Sequence, residues 1–369
     1  MNDTDDLLPE GLSDRLPAAA GRITRAVRAC LDVLGSHGYD RVRPPLLEFE
    51  RSLAARMAGI ETRAMFRFVD PESLRTLALR RDITPQIGRI AATSMKDAAR
   101  PLRLGYCGDT ALIRADQLDP ARDRLQLGAE LIGADTVAAA SEIVVLAVEA
   151  LAAAGLTGIS VDFTLPDLVD TLAEKALPLD LDQIENVRRE LDTKDAGGLK
   201  TAGGEAYLPL LYAAGPIAEA LPKLRDIDAG GALTSRIEGL EAIALQVGEK
   251  ARITLDPTER HGFEYQSWFG FTIYADNVRG AAGRGGTYRI GGSDEPATGF
   301  TLFVDKLAEA TGDPDKSNTL YLPLGHDADA AARLRAIGWR TIGQLGEAED
   351  PKALGCTHQL EGREPVSLP

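Results

Sequence analysis

Apolar positions along the first half of the chain alternate between a helical and a strand period. Ile23, Val27, Cys30, Leu31 and Leu34 recur at steps of three and four behind Pro17, with Gly35 and Gly38 beyond them, which predicts an amphipathic helix. Residues 38–50 are extended in character but contain Pro44 and Pro45, so they belong at a sheet edge or an interface. Residues 65–81 predict two short strands around the turn Asp70-Pro71-Glu72-Ser73, and a helix begins near Asp82. Residues 102–107 and 125–131 predict an antiparallel hairpin with a long polar loop. A further alanine-rich helix is expected over 137–154, capped by Asp135 or Thr136 and stopped by Gly155. Ile159, Val161, Phe163 and Leu165 then alternate as a core-facing strand does.

The pattern changes at about residue 166. Helical segments broken by Gly197-Gly198, Gly203-Gly204 and Gly230-Gly231 continue to about residue 250 and read as a helical insertion. Strand character returns at Ile253, and residues 268–275 form the strongest aromatic strand run. The glycine-rich stretch 280–292 is expected to lead into a short strand and a helix over 300–310. Residues 311–315 read as a linker, followed by a strand at 320–323 and a helix over 328–337. The expected fold class is α+β, with a core over 1–312 and a small C-terminal α/β domain over 313–369.

Composition narrows the function classes. The 369 residues are 44% hydrophobic and 26% charged, enough to bury two or three ordinary globular cores. A net charge of −15 disfavours a nucleic-acid partner. No run approaches the roughly 20 apolar residues of a membrane span, and the start, MNDTDDLLPE, lacks a secretory pattern, so a cytoplasmic location and no membrane contact are expected. Cys30, Cys107 and Cys356 lie far apart, as in a reduced compartment. The four histidines form no metal-binding pattern, and Cys356 with His358 alone is too sparse for one. No metal or cofactor site is therefore expected.

Four places carry candidate chemistry. In Leu79-Arg80-Arg81-Asp82-Ile83-Thr84, the polar side chains of Asp82 and Thr84 sit where a strand gives way to a helix, either as a cap or as ligand contacts. The hairpin has Arg114 before its loop and Gln126, Gly128 and Glu130 after it. Those three share one strand face, where an amide and a carboxylate above a glycine suit an ammonium or imidazole donor, unless the face is simply exposed. His261-Gly262-Phe263-Glu264-Tyr265-Gln266 could bring Glu264 and Tyr265 to the same cavity. The run Gly280, Gly283, Gly285, Gly286 lacks the context of a P-loop or a dinucleotide fingerprint.

Taken together, Gly38-Tyr39 to Pro45, residues 79–84, Arg114, Gln126-x-Gly128-x-Glu130-Leu131-Ile132-Gly133 and Gly299-Phe300 before a helix resemble histidyl-tRNA synthetase over about 300 residues. The resemblance implies a class II aminoacyl-tRNA synthetase core, an antiparallel sheet flanked by helices. It also implies a dimer formed through the first helix and the proline-bearing strand.

The departures from that family matter as much. Arg81 and Asp82 stand where the synthetase has Pro-Glu, His261 where it has arginine, and Asp305-Lys306 where it has Glu-Arg; Arg114 is retained. Adenylation needs preorganised donors, each worth about 10²–10³ in rate, and lysine does not reproduce the arginine fork. The C-terminal tail is also shorter than an anticodon-binding domain. A silent synthetase core that keeps an amino-acid pocket resembles the family of ATP phosphoribosyltransferase regulatory subunits. That resemblance implies a short-form ATP phosphoribosyltransferase catalytic subunit as partner, a self-dimer within a hetero-octamer, and feedback by histidine on the first step of histidine biosynthesis. The implied histidine-binding residues are Asp82, Thr84, Arg114, Gln126, Glu130 and Tyr265, with no catalytic residue. The alternative is a divergent histidyl-tRNA synthetase.

Overall fold

The computed structural model describes residues 7–54, 65–113, 120–260, 266–312, 318–346 and 349–369. The chain divides into two compact units, Met1–Thr311 and Gly312–Pro369. Among the described residues, no helix is long and apolar enough to cross a membrane.

The first unit opens with α1 (Pro17–Ser36), which starts at its proline and buries Ala26, Cys30 and Leu34. Short strands β1 (Asp40–Arg41) and β2 (Leu47–Phe49) flank Pro44 and Pro45, and α2 (Glu50–Ala54) follows. Strands β3 (Arg67–Val69) and β4 (Thr76–Leu79) pair with β2 in a three-stranded antiparallel sheet of order β2-β4-β3. The Asp70 carboxylate ties their turn by accepting from the Ser73 hydroxyl at 2.5 Å. Then come α3 (Thr84–Ala92), the long strands β5 (Leu102–Ala111) and β6 (Asp123–Ile132), α4 (Val137–Ala153) and β7 (Ser160–Thr164). The Thr136 hydroxyl caps α4 by accepting from the Ala139 N–H, and Gly155, at φ +91°, ends it.

Between β7 and β9 (Arg252–Leu255) the chain makes a helical excursion through α5 (Leu168–Lys175), α6 (Leu181–Asp192), α7 (Ala196–Thr201), the short β8 (Gly215–Pro216), α8 (Ile217–Ile227) and α9 (Thr234–Val247). It returns beside its point of departure, since β9 pairs parallel with β7. The unit closes with β10 (Gln266–Tyr274), β11 (Gly283–Ile290), β12 (Glu295–Phe303) and α10 (Val304–Ala310).

Two expectations need correcting here. The glycine-rich stretch does lead into a strand, β12, but it is largely a strand itself, β11, and residues 300–303 continue the nine-residue β12, so the helix begins only at Val304. Glycine discourages strands in isolation. Here long strands on both sides and close backbone approach override that preference.

Nine strands form one sheet of order β1-β5-β6-β12-β11-β10-β7-β9-β8, antiparallel through its centre. Its back face carries Leu127, Ala129, Leu131, Phe163, Phe271 and Leu302 into the main core, which α1, α4 and α9 complete. Its front face packs Ile83, Ile87 and Ala91 against Leu104, Tyr106, Ile132, Tyr288 and Ala297. The front is therefore the face on which α3 sits.

The second unit is a four-stranded sheet of order β14-β13-β15-β16, built from β13 (Thr319–Leu322), β14 (Arg340–Gly343), β15 (His358–Glu361) and β16 (Glu364–Ser367) with α11 (Ala328–Ala336). The Asp327 carboxylate caps α11 by accepting from the Ala330 N–H at 2.9 Å. Leu320, Leu322, Ala330, Ala331 and Leu360 make its core.

Candidate functional site

The sheet register lines up polar and small residues across the front face. One row runs Thr254, Asp162, Thr272, Arg284, Thr301, Gly128, Tyr106, each directly opposite the next. The adjacent row runs Thr164, Gly270, Gly286, Gly299, Glu130, Leu104. Three successive glycines stand in this row, all buried, and the Glu130 carboxylate lies over the last of them, Gly299. A Cβ on Gly299 would overlap Glu130 Oε2, and one on Gly128 would meet the Tyr106 hydroxyl, so both positions require glycine.

Glu130 is 1% exposed and is held by three hydroxyls. Thr84 donates to Oε1 at 3.0 Å, Tyr106 approaches the same oxygen at 3.4 Å, and Tyr288 donates to Oε2 at 2.8 Å. Tyr106 crosses above Gly128 to reach Thr301 Oγ1 at 2.6 Å. Burial pushes the Glu130 carboxyl up to about 8; the Tyr288 and Thr84 hydroxyls oppose this rise, and neighbouring Asp82 adds to it. Asp82 is itself raised by its enclosure, against backbone donation from Thr84 and Ile83. Two carboxyl groups thus share a poorly solvated corner, and a cation or an N–H donor arriving there would relieve both.

The corner is shaped by α3. Its first turn presents Thr84 to Glu130, while the Ile83 N–H donates to Gln126 Oε1 at 3.1 Å. The buried guanidinium of Arg80, just before it, donates to Asp109 O at 2.7 Å, Pro44 O at 3.0 Å and Gln86 Oε1 at 3.2 Å. Gln86 in turn donates to Pro45 O at 2.7 Å and to Glu48 Oε1 at 3.0 Å, and Arg89 forks onto the Glu48 carboxylate. Pro44 and Pro45 offer no N–H, yet their carbonyls anchor α3.

Of the residues singled out from sequence, Asp82, Thr84, Gln126 and Glu130 come together; Thr84, Gln126 and Glu130 are buried and Asp82 is half-buried, so they do not form an exposed sheet face. Arg114, His261, Glu264 and Tyr265 lie outside the described residues. Asp305 is tied down, accepting from the Leu125 N–H at 2.6 Å and pairing with Arg15 at 3.4 Å. Lys306 lines a separate cavity of about 490 Å³ together with Arg124, Arg279 and Glu309. Sequence reasoning missed Tyr106, Tyr288, Thr301 and Arg284. The alternation of Arg284, Gly286 and Tyr288 was the available signal, and it points nowhere until the strand pairing is known. Among the described residues, no group of three or more His, Cys, Asp or Glu side chains is arranged to hold a metal ion.

The histidyl-tRNA synthetase family profile matches residues 11–307. The ATP phosphoribosyltransferase regulatory subunits of Paramagnetospirillum magneticum and Rhodospirillum centenum are each 40% identical to this chain, over 364 and 370 residues. The alignments cover 96% of this chain in both cases, and 96% and 95% of the respective relatives. Among solved structures, an ATP phosphoribosyltransferase regulatory subunit/histidyl-tRNA synthetase from Bacillus halodurans superimposes with a TM-score of 0.81 at 24% identity, covering 96% of this chain and 97% of that one. Histidyl-tRNA synthetase from Nostoc superimposes with a TM-score of 0.77 at 14% identity, covering 96% and 90%. The fold is therefore that of a class II synthetase core. The chain belongs to the histidyl-tRNA synthetase-like family and, within it, to the ATP phosphoribosyltransferase regulatory subunits.

Proposed function

We propose that this chain is the non-catalytic regulatory subunit of an ATP phosphoribosyltransferase. It would assemble with a short-form catalytic subunit, which condenses ATP with phosphoribosyl pyrophosphate in the first step of histidine biosynthesis, and would relay feedback by histidine. The observation that carries this reading is the 40% identity to subunits of that name over nearly the whole of both chains. Lys306 and His261, where the synthetase family has arginines, support a role without adenylation, because neither reproduces the fork that neutralises a reacting phosphate.

The histidine site of this reading is the corner around Glu130 at the end of the glycine row. Glu130 and Asp82 offer carboxylates to the ammonium or imidazole, Thr84 and Gln126 offer neutral hydrogen bonds, and Arg114 and Tyr265 complete the set by family resemblance. The small sheet supports a self-dimer: Leu46, Leu47, Phe68 and Val69, on or beside β2 and β3, and Leu74, in the turn between β3 and β4, are all exposed. Two such dimers with catalytic subunits would make the hetero-octamer, placed in the cytoplasm.

Mixing the purified chain with a short-form catalytic subunit and following phosphoribosyl transfer tests the proposal. Activity is expected to rise on mixing and to fall again with added histidine. No effect of this chain on transfer, together with histidine-dependent pyrophosphate exchange by the chain alone, would return it to the synthetases.

A further inference from the structure

The sheet of the second unit has two edges, and they are finished differently. At β16, Pro365 removes a backbone donor and Glu361 and Glu364 put charge at the turn, both of which keep a sheet edge from pairing. The opposite edge, β14, carries neither a proline nor an acid. Arg340 and Gln344 donate inward, to Asn318 O at 3.3 Å and Leu322 O at 2.9 Å, so the two-residue period turns the N–H and C=O groups of Thr341 and Gly343 outward. Among the described residues these outward groups meet no hydrogen-bond partner. Arg335 reaches the strand from α11 and donates to Thr341 Oγ1 at 3.3 Å. Side chains alternate along a strand, so Thr341 with Arg335 lies on one face of the edge and Arg340 on the other. Both arginines are exposed, and among the described residues neither is in an ion pair. Glu349 is already engaged, accepting from the Leu345 N–H at 3.1 Å and from the Tyr321 hydroxyl at 3.3 Å. Beyond the two ends of the strand, Ile337 and Leu345 are 75% and 92% exposed.

We propose that the β14 edge is a docking surface for an extended acidic segment of the catalytic subunit, which adds to this sheet as a further strand. This rests on the partnership proposed above and gives it a place on the chain. A strand laid about 4.8 Å from β14 would pair with the outward groups of Thr341 and Gly343. Its consecutive side chains point to opposite faces, so two acids at neighbouring positions would meet Arg335 on one face and Arg340 on the other. Apolar residues flanking those acids would cover Ile337 and Leu345. A second copy of this chain fits less well. Pairing β14 with itself about a two-fold axis gathers Arg335 and Arg340 of both copies along one seam, and like charges across paired strands are destabilising. The self-dimer proposed above uses the small sheet of the first unit, so the two assemblies draw on different elements.

Hydrogen exchange and calorimetric titration of the full chain with the catalytic subunit test this. In the wild-type complex the Thr341 and Gly343 amides are expected to exchange at least about 10-fold more slowly than in the free chain. Gly343→Pro deletes an outward N–H and no inward bond, so urea unfolding of the chain should be unchanged while affinity for the catalytic subunit falls about 10–100-fold. The double variant Arg335→Glu with Arg340→Glu reverses two exposed charges and is expected to lose at least about 10-fold, with a weaker salt dependence than wild type. Arg335→Lys with Arg340→Lys keeps the charge and is expected to lose less than about threefold. Unchanged exchange at residues 341 and 343 in the complex overturns the assignment, as does wild-type affinity in the charge-reversed variant. If Gly343→Pro does not fold, the charge-reversed variant and the exchange rates decide. A drop in the mass of the chain alone on introducing Gly343→Pro, seen by light scattering, would assign the edge to a second copy and overturn the choice of partner. If wild type does not bind the catalytic subunit at all, the partnership is refuted and the docking surface falls with it; tight binding by wild type and all variants alike keeps the partnership and refutes only the edge.

Discussion

Replacing Glu130 by glutamine should change the pH dependence of stability more than stability itself. In the native state burial holds the Glu130 carboxyl at about 8, against an ordinary value of 4.5. Between those two values the folded chain keeps a proton that the unfolded chain has released. Stability therefore falls as pH rises through this window, by about 1.4 kcal/mol per pH unit for one proton. Glutamine fills nearly the same space and can pair with the Thr84, Tyr106 and Tyr288 hydroxyls, but it takes up no proton. From about pH 5.5 to about pH 7.5, wild type is expected to lose roughly 2.7 kcal/mol relative to Glu130→Gln. Whatever the substitution costs in hydrogen bonding cancels in that difference, and Asp82, raised by its own enclosure in both proteins, cancels to first order. Urea unfolding at the two pH values, at one fixed protein concentration, measures it. Parallel pH dependences, agreeing within about 0.5 kcal/mol, would refute the claim that the buried carboxyl is strained toward its neutral form.

Tyr288→Phe removes the 2.8 Å donor from Glu130 and is expected to cost about 1–3 kcal/mol, more at alkaline pH where the carboxylate is ionised; urea unfolding at about pH 6 and about pH 9 compares the two. Gly299→Ala places a methyl group inside the Glu130 carboxylate and is expected to destabilise by about 3 kcal/mol, with part of the loss recovered in the double variant with Glu130→Ala. Arg80→Met leaves the Pro44 and Asp109 carbonyls and Gln86 without their donor, and a loss of about 3–5 kcal/mol is expected by denaturant unfolding.

Much of the architecture was legible because its elements obey local rules. Pro17, the Asp70 turn and the Thr136 cap mark their boundaries through chemistry that acts within four residues. The alternation in 125–131 correctly placed Gln126 and Glu130 on one face. The failures share a physical cause. Residues 283–290 form a strand because β10 and β12 lie on either side of them, and no local preference of glycine announces that. For the same reason the depth of the site was not legible: Glu130 is buried by Tyr288, 158 residues away, and by Tyr106, whose path over Gly128 depends on the register of β5 against β6. Nor does the sequence reveal that Arg80, one of two adjacent arginines, turns inward to the proline carbonyls while Arg81 does not share those bonds.

The strand order also bears on when the protein can fold. Strand β12 sits between β6 and β11, so Gly299 meets Glu130 only after most of the first unit has been synthesised. Until then a nascent chain carries two incomplete half-sheets: β1-β5-β6 with an open edge at β6, and β11-β10-β7-β9-β8 with an open edge at β11. Contacts this distant in sequence slow folding, and unpaired edges of this length invite pairing with other chains. The last strand of the sheet is thus both the keystone of the pocket and the step that ends the chain's exposure to aggregation. Truncations upstream of Glu295 would leave material prone to misassociation on the ribosome, not a smaller soluble domain.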